Sequence, residues 1–285
     1  MSIYALLLVV AAAVLHAAWN LITKQVNGKL PFFWLVSLAS SVICLPFLYL
    51  QASREHLTLN LMVSGFAVVS AILHLLYFVL LQTGYRKADL SIVYPVARGA
   101  GPLFSVAGAV LLFKEKPGWL AITGICLIIA GVIVMTGFRV SKDARLAKGL
   151  EYGMLTGLFI AAYTLWDKAA VVDHHVSALL ITFASMLFPL LILAPVMLKR
   201  QDEVKQEIRT HWKQVITVAV FQPLSYLLVL IALKSTPVTY VAPARELSIV
   251  VGVFFGANLL KEADARKRII AAIVILAGIV LLALG

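Results

Sequence analysis

Long apolar runs, separated by short charged or Gly/Pro-containing breaks, follow one another along this chain. A helix crossing a hydrocarbon layer needs roughly 20 predominantly apolar residues, and runs of that order lie near residues 3–22, 32–50, 59–82, 91–113 and 119–138. After the basic stretch from Arg139 to Lys148 the pattern resumes near 150–167, 176–198, 214–233, 238–260 and 269–284. The runs are continuous, without the alternation over about ten residues that marks a spanning strand. The pattern therefore predicts an all-α integral membrane protein with ten transmembrane helices. The first run has no Lys or Arg ahead of it and is too long for a signal h-region, so it reads as a span.

The two halves repeat one another. The segment Ala17-Ala18-Trp19-Asn20-Leu21-Ile22-Thr23-Lys24 aligns without a gap to Ala161-Ala162-Tyr163-Thr164-Leu165-Trp166-Asp167-Lys168. Ala97-Arg98 matches Ala244-Arg245, Lys114-Glu115 matches Lys261-Glu262, and Ala130-Gly131 matches Ala277-Gly278, these three at one common shift. The expected organisation is a five-helix repeat over 1–138, a basic linker over 139–149 and a second five-helix repeat over 150–285. An odd number of spans per repeat turns the second copy upside down. Proteins built from such inverted repeats bind a solute near the bilayer midplane, between the halves.

Composition agrees with lipid as the solvent: 62% of residues are hydrophobic and 13% charged, against about half and about a quarter in a soluble domain. The formal charge of +11 comes from basic residues scattered through inter-span loops, with no nucleic-acid motif around them. Nucleic acid is not an expected partner; membrane lipid and a small solute are. The loops of one side carry most of the Lys and Arg, which by the positive-inside rule places both termini outside. Cys44 and Cys126 lie within apolar runs with no disulfide or metal-ligand spacing. No metal or cofactor is expected. The sequence carries no signal for oligomeric state.

A Leu-rich helix ends in Lys-Glu in each half (Leu112-Phe113-Lys114-Glu115 and Leu259-Leu260-Lys261-Glu262) and is followed by a span holding Ala-Gly (Ala130-Gly131 and Ala277-Gly278). With ten spans in two repeats, the chain resembles the EamA-type carriers of the drug/metabolite transporter superfamily over essentially its whole length. His16-Ala17-Ala18-Trp19-Asn20 and Tyr94-Pro95-Val96-Ala97-Arg98-Gly99 look like signatures of one bacterial subgroup associated with phosphonate use. The resemblance implies a secondary carrier with a central cavity, in the bacterial inner membrane. It also implies cytoplasmic termini, opposite to the loop charge.

Ionisable groups inside spans are costly and need a partner, a water-filled cavity or a solute. Arg98 in span four and Arg245 in span nine occupy repeat-related positions, and a guanidinium offers a planar donor fork suited to carboxylate or phosphate. They are candidate binders of an anionic group; alternatively Glu246, Glu151 or helix-end carbonyls neutralise them and they lock the bundle. Ser91, Tyr94, Arg98 and Ser105 share one stripe of span four. Ser70, His74 and Tyr77 share a face of span three, with Gln222 and Ser225 at equivalent places in span eight. In span one His16, Trp19 and Asn20 fall together; Tyr163, Thr164 and Trp166 match them in span six. The candidate solute-binding set is Arg98, Arg245, Tyr94, Glu246, Trp19, Asn20, His74, Tyr77, Tyr163, Trp166 and Gln222. His16 and His74 are candidates for proton coupling, the other reading being neutral, hydrogen-bonded imidazoles. Pro95, Pro102, Pro223 and Pro243 interrupt spans, and broken helices in matching segments point to a transport site.

The expected function is secondary active transport of a small polar metabolite with an anionic group, such as an amino acid, an organic acid or a phosphonate-like compound. No Gly-rich phosphate loop ending in Lys-Ser or Lys-Thr is present, so the drive is an ion gradient or a counter-solute. Export of cationic or amphipathic compounds is the alternative carrier reading. An intramembrane enzyme would need an acid pair, a Ser/His constellation or a His-Glu-x-x-His helix at depth, none of which appears. A non-transporting scaffold is the remaining class.

Overall fold

Apolar runs too long for strands and bounded by capping residues become helices. The computed structural model describes residues 1–26, 29–55, 60–88, 90–136, 144–251 and 265–285. In chain order the helices are α1 (Ile3–Gln25), α2 (Leu30–Glu55), α3 (Leu61–Lys87), α4 (Leu90–Leu112), α5 (Trp119–Thr136), α6 (Ala144–Lys168), α7 (Ala178–Lys199), α8 (Gln201–Leu233), α9 (Val238–Ala244) and α10 (Ala265–Leu284). Side-chain caps set several starts: Ser2 accepts from the Ala5 N–H at 3.2 Å, Asn60 from Val63 at 2.8 Å and Ser177 from Leu180 at 3.2 Å.

Among the described residues, seven helices are long and apolar enough to cross a membrane: α1, α2, α3, α4, α6, α7 and α8. The apolar parts of α5 and α10, Trp119–Val134 and Ile270–Leu284, are shorter. The ninth expected span is described only as far as residue 251, so its remainder, the linker residues 137–143 and the Lys261-Glu262 landmark lie outside the described residues. Large apolar side chains such as Leu7, Phe47, Leu191 and Ile273 are exposed on the outside of the bundle. Lipid-facing helices present such a surface, which would be a liability in water.

Two local features differ from the sequence expectation. The polar stretch ahead of span eight, expected as loop, is helical from Gln201. Asp202 and Glu203 complement the positive end of the helix dipole there, and Arg200 pairs with Glu203. The backbone leaves helical geometry at His211 (φ −129°, ψ 22°), where this polar segment meets the apolar span. The segment expected as a loop around Asp173-His174-His175 begins as a π-helical turn, Ala169–Asp173, continuing α6.

Helix packing is nearly unchanged when the halves are exchanged. α1 packs on α8 as α6 packs on α3, and α2 on α8 as α7 on α3; α2 faces α7, and α5 faces α10. The largest difference is the extensive α4–α6 seam, whose counterpart, span nine against α1, is described only as far as residue 251; α7 also packs on α8 without a comparable α2–α3 pair among the described residues. Small residues build the α4–α6 seam. Gly149, Gly153 and Gly157 on α6 oppose Ile92, Val96 and Ala100 on α4, and a Cβ on them would lie 2.7, 2.7 and 2.6 Å from those side chains. Close backbone approach through small residues is how membrane helices gain packing without a hydrophobic drive. Gly157→Val meets Ala100 and the Gly101 backbone nitrogen, which cannot yield. It should destabilise by about 1–3 kcal/mol, read as a lowered unfolding temperature in detergent. Gly65→Val, with nothing within 4 Å of its Cβ, is the matched control and should change little.

Candidate functional site

The chemistry gathers where α9 ends. Pro243 removes a backbone donor, and beyond it the chain tightens: Glu246 N–H bonds to the Pro243 carbonyl at 3.0 Å and Ser248 N–H to the Arg245 carbonyl at 3.1 Å. The helix therefore breaks into a turn at Arg245 and Glu246. In the matching place α4 runs unbroken through Pro102. Matched breaks were expected in spans four and nine; among the described residues only the second carries one, because the bonding around Arg245 shifts to residues three back in the chain.

The start of α9 is fixed by a side chain from the other half. Glu115 accepts the Val238 N–H and the Thr239 N–H, both at 2.9 Å, so one carboxylate satisfies two orphaned donors and faces the positive end of the helix. The Lys-Glu landmark of the first repeat thus holds the helix that presents Arg245. Glu115→Ala should cost about 1–2 kcal/mol, measured as a drop in unfolding temperature, with Glu115→Gln recovering part of it.

Arg98 Nη2 lies 2.9 Å from Glu246 Oε2 and donates to Ser248 Oγ at 3.2 Å; the two charged side chains are 19% and 5% exposed. The pair is close without hydrogen-bond alignment at that Glu246 oxygen, and Arg98 Nε has no hydrogen-bond partner among the described residues. Arg245 makes no ion pair among the described residues. Its guanidinium lies 5.9 Å from the centre of the Tyr226 ring and beside Tyr163. Arg98, Arg245, Glu246, Tyr163, Thr164 and Ser105 line one cavity of about 20 Å³. That volume holds about one water, so little free space separates these groups.

An aromatic tray lies behind Tyr163, the one ring of the group that lines the cavity. His74 stacks on Tyr163 with ring centres 4.0 Å apart, and Tyr226 meets His74 edge-on at 5.0 Å. Tyr77 stands 5.8 Å from Tyr163. His74 Nδ1 lies 2.9 Å from the Ser70 carbonyl oxygen; a carbonyl only accepts, so Nδ1 carries a hydrogen. Tyr94 stands within electrostatic reach of Arg98 and Tyr77.

The remaining sequence candidates sit farther out. His16 feels the charge of both arginines and meets Trp19 edge-on at 5.0 Å. Asn20 is exposed and donates to the His16 carbonyl at 2.7 Å. Trp166 donates to the Phe66 carbonyl at 3.0 Å and packs on Phe66, toward the turn after α6. Of the sequence candidates, His16, Trp19, Asn20, His74, Tyr77, Tyr94, Trp166 and Gln222 do not line the cavity. Ser91 and Pro95 side chains lie outside the described residues.

Three residues of this region were not singled out from the sequence: Asp167, Tyr226 and Ser248. Asp167 is fully buried and accepts from the Tyr226 hydroxyl. It closes the expected span 150–167, so it read as a boundary; yet it falls one turn after Tyr163 and Thr164, and an acid on that face is the signal that could have found it. Among the described residues no group of three or more His, Cys, Asp or Glu could hold a metal ion.

Comparison with known proteins adds three findings. The profile of the EamA-like transporter family matches residues 3–137 and again residues 147–284. An uncharacterized protein of Methanocaldococcus jannaschii, MJ1333.1, is 29% identical over 134 residues, which is 46% of this chain and 96% of that protein. A protein solved by crystallography superimposes with a TM-score of 0.76 at 16% identity, covering 98% of this chain and 96% of its own, a likeness of fold.

Proposed function

Because this chain belongs to the EamA-like transporter family, we propose that it is a secondary carrier for a small polar metabolite bearing an anionic group, working by alternating access. The observation carrying the substrate class is Arg245: a half-buried guanidinium lining the cavity, with no carboxylate paired to it among the described residues. A charge held in lipid without a counter-charge is costly, and an incoming carboxylate, phosphonate or phosphate supplies one through two parallel hydrogen bonds. Amino acids, organic acids and phosphonate-like compounds all fit that chemistry.

The mechanism rests on ten spans in two inverted repeats enclosing a chamber at mid-membrane. The extensive α4–α6 seam is one arrangement, and a matching seam between span nine and α1 would be the other. Exchanging those two arrangements between the repeats would expose the chamber alternately. The setting is the bacterial inner membrane, and the drive an ion gradient or a counter-solute.

Export of organic cations has an observation in its favour, since Glu246 and the rings of His74, Tyr163 and Tyr226 could hold a cation. A thermal-shift screen of the detergent-solubilised protein separates the readings. L-Glutamate, L-malate and methylphosphonate are set against tetraphenylphosphonium. Occupancy at a hundredfold excess over Kd adds about 2.7 kcal/mol of stability. Stabilisation by an anion in the native protein, lost in Arg245→Gln, is the expected result; stabilisation by the cation alone contradicts the anion reading.

A further inference from the structure

We infer that Asp167 is the proton-carrying site of this protein, loading a proton in step with anion binding at Arg245, so that transport is proton-coupled; this rests on the carrier reading above. Asp167 is 0% exposed and sits at the C-terminal end of α6. Its Oδ2 accepts the Tyr226 hydroxyl, while Oδ1 is buried without a hydrogen-bond partner among the described residues. Ser70 lies beside the carboxylate, with its hydroxyl 3.5 Å from His74 Nδ1.

The groups facing Asp167 from each neighbouring element leave it no paired cation. On α3 it is Ser70, with His74 behind it against Ser70 and Tyr226. On α8 it is Tyr226, and α4 offers Arg98, already paired with Glu246. On α6 itself Tyr163 is spent on the aromatic tray, while Lys168 is turned to Asp173 at 3.3 Å and to the Phe113 ring at 3.5 Å. His174 in the following turn packs on Phe66. The positive charge that acts on Asp167 is Arg245, separated from it by the Tyr226 ring. A buried carboxylate whose second oxygen has no donor in good hydrogen-bond geometry, only the nearby Ser70 hydroxyl, is costly as an anion and less so as an acid, because the acid supplies its own hydrogen.

A proton fits here where a solute does not. Asp167 lies off the cavity lining and has no accessible surface, so a substrate ammonium cannot reach it. The coupling then follows from one shared cation. With Asp167 ionised, Arg245 is partly neutralised and holds an external anion less well. When a proton from water on one side binds Oδ1, Arg245 becomes the uncompensated charge and the anion binds more tightly. By linkage the bound anion favours the proton equally. Proton and anion travel together and the proton leaves Oδ1 for water on the other side. His74 donates from Nδ1 to a backbone carbonyl and is stacked on Tyr163, so it shapes the tray between the two charges.

Infrared difference spectroscopy on acidification, using protein with heavy carbon in its aspartate carboxyls, reads the proton directly and needs no transport. It can therefore fail while transport is intact, or succeed if no solute is ever moved. Between about pH 9 and about pH 5 the native protein should gain an isotope-shifted protonated-carboxyl stretch from a dehydrated site. Asp167→Asn should lack that band, and Asp167→Glu should replace it by one without the isotope shift. In Arg245→Gln the band should appear about one pH unit or more higher, a tenfold or greater gain in proton affinity. A native protein without the band, or a band persisting in Asp167→Asn, overturns the site. An unmoved band in Arg245→Gln overturns the coupling.

Discussion

Arg245→Gln should reduce transport by about 100-fold while leaving the protein at least as stable as before. The loss follows from two charge-assisted hydrogen bonds to the solute, about 1.5–3 kcal/mol each when the partner is charged, with every 1.4 kcal/mol worth tenfold. The stability half of the expectation is the diagnostic one. Arg245 lines the cavity beside Tyr163 and over Tyr226 and has no ion pair among the described residues. A side chain that locked the bundle would lower the unfolding temperature when neutralised. A side chain held ready for a solute leaves it unchanged or raised, because a half-buried charge without a direct ion pair has been removed. Arg245→Lys should fall between, keeping a point charge but losing the fork. Uptake into sealed vesicles and unfolding in detergent, measured on the same preparations, check both halves.

Glu246→Gln should do the opposite, costing stability first. Its carboxylate is the counter-charge of Arg98 at 2.9 Å, and both side chains are largely withdrawn from solvent. Removing one member of such a pair leaves the other charged and buried, which costs about 3–5 kcal/mol. The double change Arg98→Gln with Glu246→Gln should recover most of that loss, since no orphaned charge remains. Thermal unfolding of both single variants and the double variant forms a mutant cycle, and a strong favourable coupling is expected. A double variant as unstable as the sum of the singles would mean that the two side chains do not act as a pair.

These opposite expectations arise from residues that look alike in sequence. Arg98 and Arg245 stand at repeat-related positions, and that symmetry suggested two equivalent guanidiniums. The structure distinguishes them because Glu246 follows Arg245 in the second half and reaches Arg98, while Gly99 occupies the equivalent place in the first. A sequence shows which charges lie within spans; it does not show which of them meet across the interface. The stacking of His74 on Tyr163 was half legible, since periodicity placed each on a polar face, but the meeting of those faces depends on α3 packing against α6.

Much of the helical layout was readable because lipid imposes long apolar runs, and most described helices cover those runs, several extending past them, while span nine breaks at Arg245. Polar segments escaped that logic. Helix α8 starts at Gln201 because first-turn acids and an ion pair favour it, effects that a hydropathy profile does not contain. The glycine series Gly149, Gly153, Gly157 was present in the sequence, but its meaning depends on the partner helix that approaches it. Asp167 was passed over because it closes an apolar run, where a charge ordinarily marks the membrane surface; the fold instead buries it under Tyr226.

Counterflow in sealed vesicles tests the central claim most directly. Purified protein is reconstituted with unlabelled methylphosphonate, L-glutamate or L-malate inside and a trace of the same labelled solute outside. Transient accumulation of label for at least one of these anions, absent in Arg245→Gln vesicles containing equal amounts of folded protein, is the predicted result. Equal accumulation with and without the Arg245 guanidinium would contradict the account, as would inertness toward all three anions alongside transport of an organic cation.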